Sequence, residues 1–166
     1  STIKTGIEQL KEGTTGMIFF SYLLLVLALI CLDQWLKIWV STNIALNHSQ
    51  HFIPGVMDLT NLHNYGAAWS MFQGQQLFFS IVTVVVIAGI GYCFWRFRHR
   101  HPILLCLSLI LAGAVGNFID RLLQGYVVDM FEFLPVNFPV FNIADMCLTI
   151  GVIMLIIIVL REDDEK

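Results

Sequence analysis

Charge is what this sequence has least of. Asp, Glu, Lys and Arg make up 13% of its 166 residues, about half the share of a typical soluble domain, and that scarcity excludes an ordinary water-soluble globule. Metal and disulfide frameworks are missing too: Cys31, Cys93, Cys106 and Cys147 fall inside apolar runs without ligand spacing and read as small packing residues. His48, His51 and His63 fit no common zinc arrangement. No metal, cofactor or nucleic-acid partner is expected. The first apolar run is followed by no small-residue cleavage site, so it reads as an anchor rather than a removable leader.

What the sequence has in abundance is apolar length. Hydrophobic residues reach 57% and the mean hydropathy is +0.77. Four runs, 17–40, 76–97, 102–122 and 139–160, each approach the roughly 20 helical residues that span a hydrocarbon core. Continuous runs rather than short alternating segments argue against a barrel. The expectation is an α-helical membrane protein with four transmembrane helices in one domain, residues 17–160. Residues 1–16 read as a polar leader or expression remnant, and 161–166 as a charged tail.

Basic residues set the orientation. With four spans, Lys4, Lys11, Arg96, Arg98, Arg100, Arg161 and Lys166 share one side, whereas only Lys37 and Arg121 approach the other. The positive-inside rule then places both termini in the cytoplasm and turns 41–75 and 123–138 outward. Trp35, Trp39 and Tyr126 fall where an interfacial aromatic belt is expected.

Topology converts position into depth. Asp33, Gln34 and Lys37 end the first run, Asn117, Asp120 and Arg121 end the third, and Asn142 and Asp145 begin the fourth. All three groups therefore reach the outer boundary of the membrane. Spacings of three and four residues put each group on one helical face, while Gly113 and Gly116 would let a neighbouring backbone come close. Between the first two runs, 56–63 alternates in polarity after a Pro54-Gly55 turn, which predicts a small outward-facing β-sheet between helices 1 and 2.

Carboxylates near hydrocarbon are expensive and are usually kept for a task. Asp33 has Lys37 one turn on, Asp120 has Arg121 beside it and Asn117 on its face, Asp58 reads as a solvated strand residue and Glu132 as a loop acid. Asp129 and Asp145 are left without an obvious local cation. Two carboxyls about 3 Å apart cannot both ionise and share a proton, so one can activate water while the other donates to a carbonyl. That chemistry is aspartyl proteolysis and needs neither metal nor covalent intermediate.

The runs Asp33-Gln34-Trp35-Leu36-Lys37, Asn64-Tyr65-Gly66-Ala67-Ala68-Trp69, Gly116-Asn117-Phe118-Ile119-Asp120-Arg121 continuing to Gly125-Tyr126-Val127-Val128-Asp129, and Phe141-Asn142-Ile143-Ala144-Asp145 resemble, in order, the motifs of lipoprotein signal peptidase, signal peptidase II. The resemblance implies a bacterial inner-membrane aspartic endopeptidase that cleaves diacylglyceryl-modified prolipoproteins just before the lipidated cysteine. It implies Asp129 and Asp145 as the catalytic pair. Asp33, Lys37, Asn64, Gly66, Asn117, Arg121 and Asn142 would shape or line the substrate site, Asp120 would support it, and the outward sheet would be the family's β-cradle. Trp69 stands where the family often has Phe. Membrane lipid is the surrounding partner, a monomer is expected, and Tyr65-Gly66 is the best pivot should the outward loop move. The rivals are a transporter or proton relay, whose acids would be spread through the membrane's depth, a non-catalytic scaffold, and a presenilin-like protease with more spans and deeper acids.

Overall fold

A computed structural model describes residues 2–66 and 76–164. Its elements are α1 (Thr2–Asn43), β1 (Ser49–Ile53), β2 (Met57–Asn64), α2 (Gln76–Arg96), α3 (His101–Gln124), β3 (Val127–Phe133) and α4 (Ile143–Asp164). Among the described residues, three stretches are long and apolar enough to cross a membrane: Gly16–Asn43 within α1, all of α3, and Ile143–Glu162 within α4. Helix α2 has 21 residues, about 30 Å at 1.5 Å per residue, and contains the apolar stretch Ser80–Arg96. Helix α1 is continuous across the division expected at residue 17.

Helix α3 is the axis of the bundle. It packs against α1, α2 and α4, whereas α2 and α4 scarcely meet among the described residues. Ile103, Leu104, Leu107 and Ile110 of α3 bury against Ile90 and Phe94 of α2. The outer helices turn Leu27, Ile38, Val85 and Ile153 outward, which lipid accommodates at no cost because every backbone group in a helix is already bonded. Proline at the first turn of α3 starts the helix without losing a bond. Gly125 ends it at φ 78°, its N–H on the Arg121 carbonyl at 3.1 Å; the left-handed turn suits glycine and sends the chain at once into β3.

The strands form an antiparallel sheet in the order β1-β2-β3. A sheet confined between helices 1 and 2 therefore needs correction: its third strand follows α3, so Glu132 is a strand residue opposite Asp58 rather than a loop acid. Asp58 is also not solvated. It is buried and its Oδ1 lies 2.9 Å from Nδ1 of His51. Between Leu59 and Leu62 the β2–β3 register shifts by a bulge, and Asn61 in the bulge donates from Nδ2 to the Ile44 carbonyl at 2.8 Å. This ties the sheet to the end of α1. Val40, Ile44, Val128 and Met130 fill the junction. Tyr126 belongs to this packing and stacks on His63 with centroids 3.8 Å apart, which supports the sheet.

Helices α3 and α4 approach closely because glycine stands at their contact. A Cβ on Gly113 would collide with the Ala144 carbonyl and come within 2.7 Å of Leu148 Cγ. Gly113→Ala should therefore displace the start of α4 and cost about 1–3 kcal/mol of stability. Thermal unfolding in detergent checks this; an unchanged midpoint would show that the helices can part freely.

Candidate active site

The polar residues of three helices and two strands form a single hydrogen-bonded body. Its cation is Lys37, 3% exposed. Its Nζ lies 2.8 Å from Asp33 Oδ2 and 3.0 Å from Asp120 Oδ2, and donates to Asn117 Oδ1 at 3.0 Å. All three ammonium hydrogens thus have acceptors. Asp120 pairs with Lys37 across the α1–α3 interface, so it is the ion-pair member expected, with its partner on another helix.

Gln34 joins the same acids. Its Nε2 lies 2.9 Å from Asp120 Oδ1, 3.2 Å from Asp33 Oδ2 and 3.1 Å from the Gly116 carbonyl. Gln34 belongs to the polar group that ends the first apolar run, and its place beside Asp33 is the only signal in the sequence for this role. The remaining acceptor capacity of the two acids goes to backbone: Asp33 Oδ1 accepts the Ala144 N–H at 2.9 Å, and Asp120 Oδ2 accepts the Val128 N–H at 3.1 Å.

Asp145 enters from the first turn of α4. Asn142 caps this helix, its Oδ1 accepting the Asp145 N–H at 2.9 Å while Asp145 Oδ2 accepts the Asn142 N–H at 3.1 Å. This reciprocal capping box fixes the carboxyl, and Asn117 Nδ2 donates to its other oxygen at 2.8 Å. Asp129 enters from β3. Asn142 Nδ2 donates to its Oδ1 at 2.7 Å and Asn64 Nδ2 to its Oδ2 at 2.8 Å. Asn64 faces Val127 across the ladder, so it meets Asp129 as a diagonal neighbour on one face of the sheet. The chain returns between the two acids by pairing Phe141 beside Phe131, with Phe131 N–H on the Phe141 carbonyl at 2.8 Å and Phe141 N–H on the Phe131 carbonyl at 3.1 Å. That pairing had no sequence signal.

Asn142 touches both carboxyls, its backbone N–H on Asp145 and its side-chain amide on Asp129. Burial first, then the charge of Asp145, pushes Asp129 up to about 7 from an ordinary 3.8, against the hydrogen bonds from Asn64 and Asn142 and the charge of Lys37. Near neutral pH the Asp129 carboxyl is therefore poised to hold a proton.

A cavity of about 710 Å³ opens in front of the pair. Asn64, Gly66, Asn117, Arg121, Asp129 and Asp145 line its polar end, and Val82 and Val86 of α2 face Met146 and Ile150 of α4 along its apolar end. Arg121 Nη2 donates to the Gly66 carbonyl at 3.4 Å and Asn64 Oδ1 accepts the Gly66 N–H at 2.9 Å, which holds the loop start at the rim. Every expected site residue thus belongs to the network or its rim. Ala67, Ala68 and Trp69 lie outside the described residues.

A helical protein with membrane-length apolar helices and two acids, one buried and one half-buried, at the polar end of a cavity has the make-up of a membrane enzyme. The signal peptidase (SPase) II family matches residues 25–161. A lipoprotein signal peptidase of Lactiplantibacillus plantarum is 49% identical over 142 residues, covering 86% of this chain and 95% of that protein. One of Streptococcus thermophilus is 49% identical over 140 residues, covering 84% and 92%. A bacterial membrane enzyme solved by the in meso method at 2.3 Å superposes with a TM-score of 0.85 at 36% identity, covering 88% of this chain and 91% of its own. The chain belongs to the signal peptidase II family and is a membrane peptidase of the aspartic type.

Lys37 is the residue on which the network closes. Lys37→Met leaves Asp33 and Asp120 buried and uncompensated, which should cost about 3–5 kcal/mol. Thermal unfolding in detergent measures this, and a variant as stable as the parent would show that the acids are held by other means.

Proposed function

We propose that Asp129 and Asp145 are the catalytic pair of a peptidase that removes signal peptides from diacylglyceryl-modified prolipoproteins, cutting just before the lipidated cysteine. The observation that carries the reading is the joining of a buried and a half-buried carboxyl from separate elements through Asn142 at the polar end of a cavity whose other end is apolar. The names of the relatives agree with this substrate class.

In this mechanism Asp145 takes a proton from water as the water oxygen bonds to the scissile carbonyl carbon. Asp129 gives its proton to the carbonyl oxygen, forming a neutral gem-diol. The diol then returns a proton to Asp129, Asp145 protonates the departing amide nitrogen, and the C–N bond breaks. Each acid ends as it began. Asn142, Asn117 and Asn64 are neutral donors, so they orient both carboxyls without fixing where the proton sits. Arg121 and Asn64 at the rim are placed to meet the backbone carbonyls of an extended substrate.

Entry is lateral, because α2 and α4 both lean on α3 and leave the apolar end of the cavity between them. Acyl chains of the substrate stay in lipid, where each buried CH₂ contributes about 0.8 kcal/mol, and this sets depth without favouring the transition state over the ground state. The basic residues 96–100 mark the cytoplasmic side together with both termini, so the sheet and the acids lie at the outer leaflet. One chain supplies every site residue, and a monomer suffices.

Asp129→Asn and Asp145→Asn should each remove turnover of a diacylglyceryl-modified prolipoprotein, followed by mass shift, while the protein stays folded; retained turnover in both would move the chemistry elsewhere. The unlipidated precursor should be cut far more slowly, and equal rates on the two would remove the lipid from substrate recognition. Because Asp129 must be protonated to act as the acid and its pKa is raised to about 7, kcat should fall as pH rises through that value. A rate still climbing well above it would reverse the assignment of acid and base.

A further inference from the structure

Both proposed catalytic aspartates follow directly on a residue whose backbone N–H is held by a buried carboxylate from another element. Asp33 of α1 holds Ala144, which precedes Asp145, at 2.9 Å; Asp120 of α3 holds Val128, which precedes Asp129, at 3.1 Å. These two supporting acids are themselves cross-linked twice. Lys37 lies 2.8 Å from Asp33 Oδ2 and 3.0 Å from Asp120 Oδ2. Gln34 Nε2 reaches the same Asp33 oxygen at 3.2 Å and the other Asp120 oxygen at 2.9 Å. The four side chains thus close a ring, Asp33–Lys37–Asp120–Gln34, from which two backbone clamps reach one to each member of the pair.

We infer that this ring is a gauge that sets the separation of Asp129 and Asp145, and that Gln34 is a positioning residue within it. The inference rests on Asp129 and Asp145 being the reacting acids.

A cation is the reason a second cross-link is needed. Lys37 attracts both carboxylates, but its charge has no angular preference and its third hydrogen is drawn to Asn117. An amide is directional. Gln34 binds Asp120 at the oxygen Lys37 does not use, so the Asp120 carboxylate is held at both ends and cannot swing about its own axis. Its orientation is what aims Oδ2 at the Val128 N–H. Gly116 completes the arrangement: its carbonyl receives the same Gln34 nitrogen at 3.1 Å, and a Cβ on Gly116 would come within 2.8 Å of Asp33 Oδ2. Gln34 adds no net charge, so the ring holds its geometry without adding a charge beside the pair.

Loss of the gauge should lower kcat rather than substrate binding, because the cavity walls and rim are untouched. Gln34→Met keeps length and removes the donor. It should reduce kcat roughly tenfold to a hundredfold, the scale of a misplacement of about 1 Å, with KM little changed, and should shift the two limbs of the pH–rate profile. Gln34→Glu supplies a donor only when protonated, so its kcat should recover toward the parent as pH falls while that of Gln34→Met does not. Gly151→Ala, which overpacks α4 against Cys106 and Ile110 far from the ring, serves as a control for lost stability alone and should leave the pH limbs in place. Parental kcat and limbs in Gln34→Met would overturn the gauge, as would an equal shift of limbs in Gly151→Ala. Asp129→Asn is assayed alongside: if it is inactive while Gln34→Met behaves as the parent, the gauge fails and the catalytic pair stands, whereas an active Asp129→Asn removes the pair itself.

Discussion

One buried ammonium group organises this molecule. Lys37 sits where α1 meets α3, almost without exposure, and an isolated charge there would be expelled or neutralised. It stays because Asp33 and Asp120 flank it and Asn117 takes its third hydrogen. The requirement runs both ways, since two carboxylates facing each other in lipid-side packing need the cation as much as it needs them. From this constraint follow the close seating of α1 on α3, the glycine at position 116 beside Asp33, and the backbone clamps that fix the start of β3 and of α4.

The site divides its acids by the partners it gives them. Asp33 and Asp120 are paired with a cation and lock structure. Asp129 and Asp145 are held by the amides of Asn64, Asn117 and Asn142, which orient a carboxyl while contributing no net charge. Burial can then act on Asp129 and push it up to about 7, the range a general acid needs at neutral pH. Salt bridges in those positions would have held the carboxyls ionised. A membrane protein can place such a pair at low solvent exposure because the outer faces of α1, α2 and α4 need no polar surface, leaving the polar residues to one interior level.

Much of this was legible in the sequence. The lengths of the apolar runs located the helices, and the polar groups at the ends of three runs are the residues that meet in one network. The Asp33–Lys37 pairing could be read from a spacing of one turn. What could not be read were pairings that depend on the third dimension: Asp120 with Lys37 of another helix, the bulge at Asn61, and Phe141 returning beside Phe131. The strand 127–133 carries Asp and Glu among apolar residues and lacks the alternation that betrayed 56–63, so the third strand of the sheet was invisible. Asp58 looked solvated because its cover, His51, lies on a neighbouring strand. The bridge that Asn142 makes between Asp129 and Asp145 was likewise invisible, because it depends on where β3 and α4 meet.

The proposed chemistry requires that one carboxyl of the pair, Asp129, keep its proton into the neutral range. Infrared difference titration of the protein in detergent, parent against Asp129→Asn, tests it without substrate. A protonated carboxyl band should disappear as pH rises through about 7 and should be missing from the variant. A titration that is complete well below that pH, or one unaltered in Asp129→Asn, would contradict it.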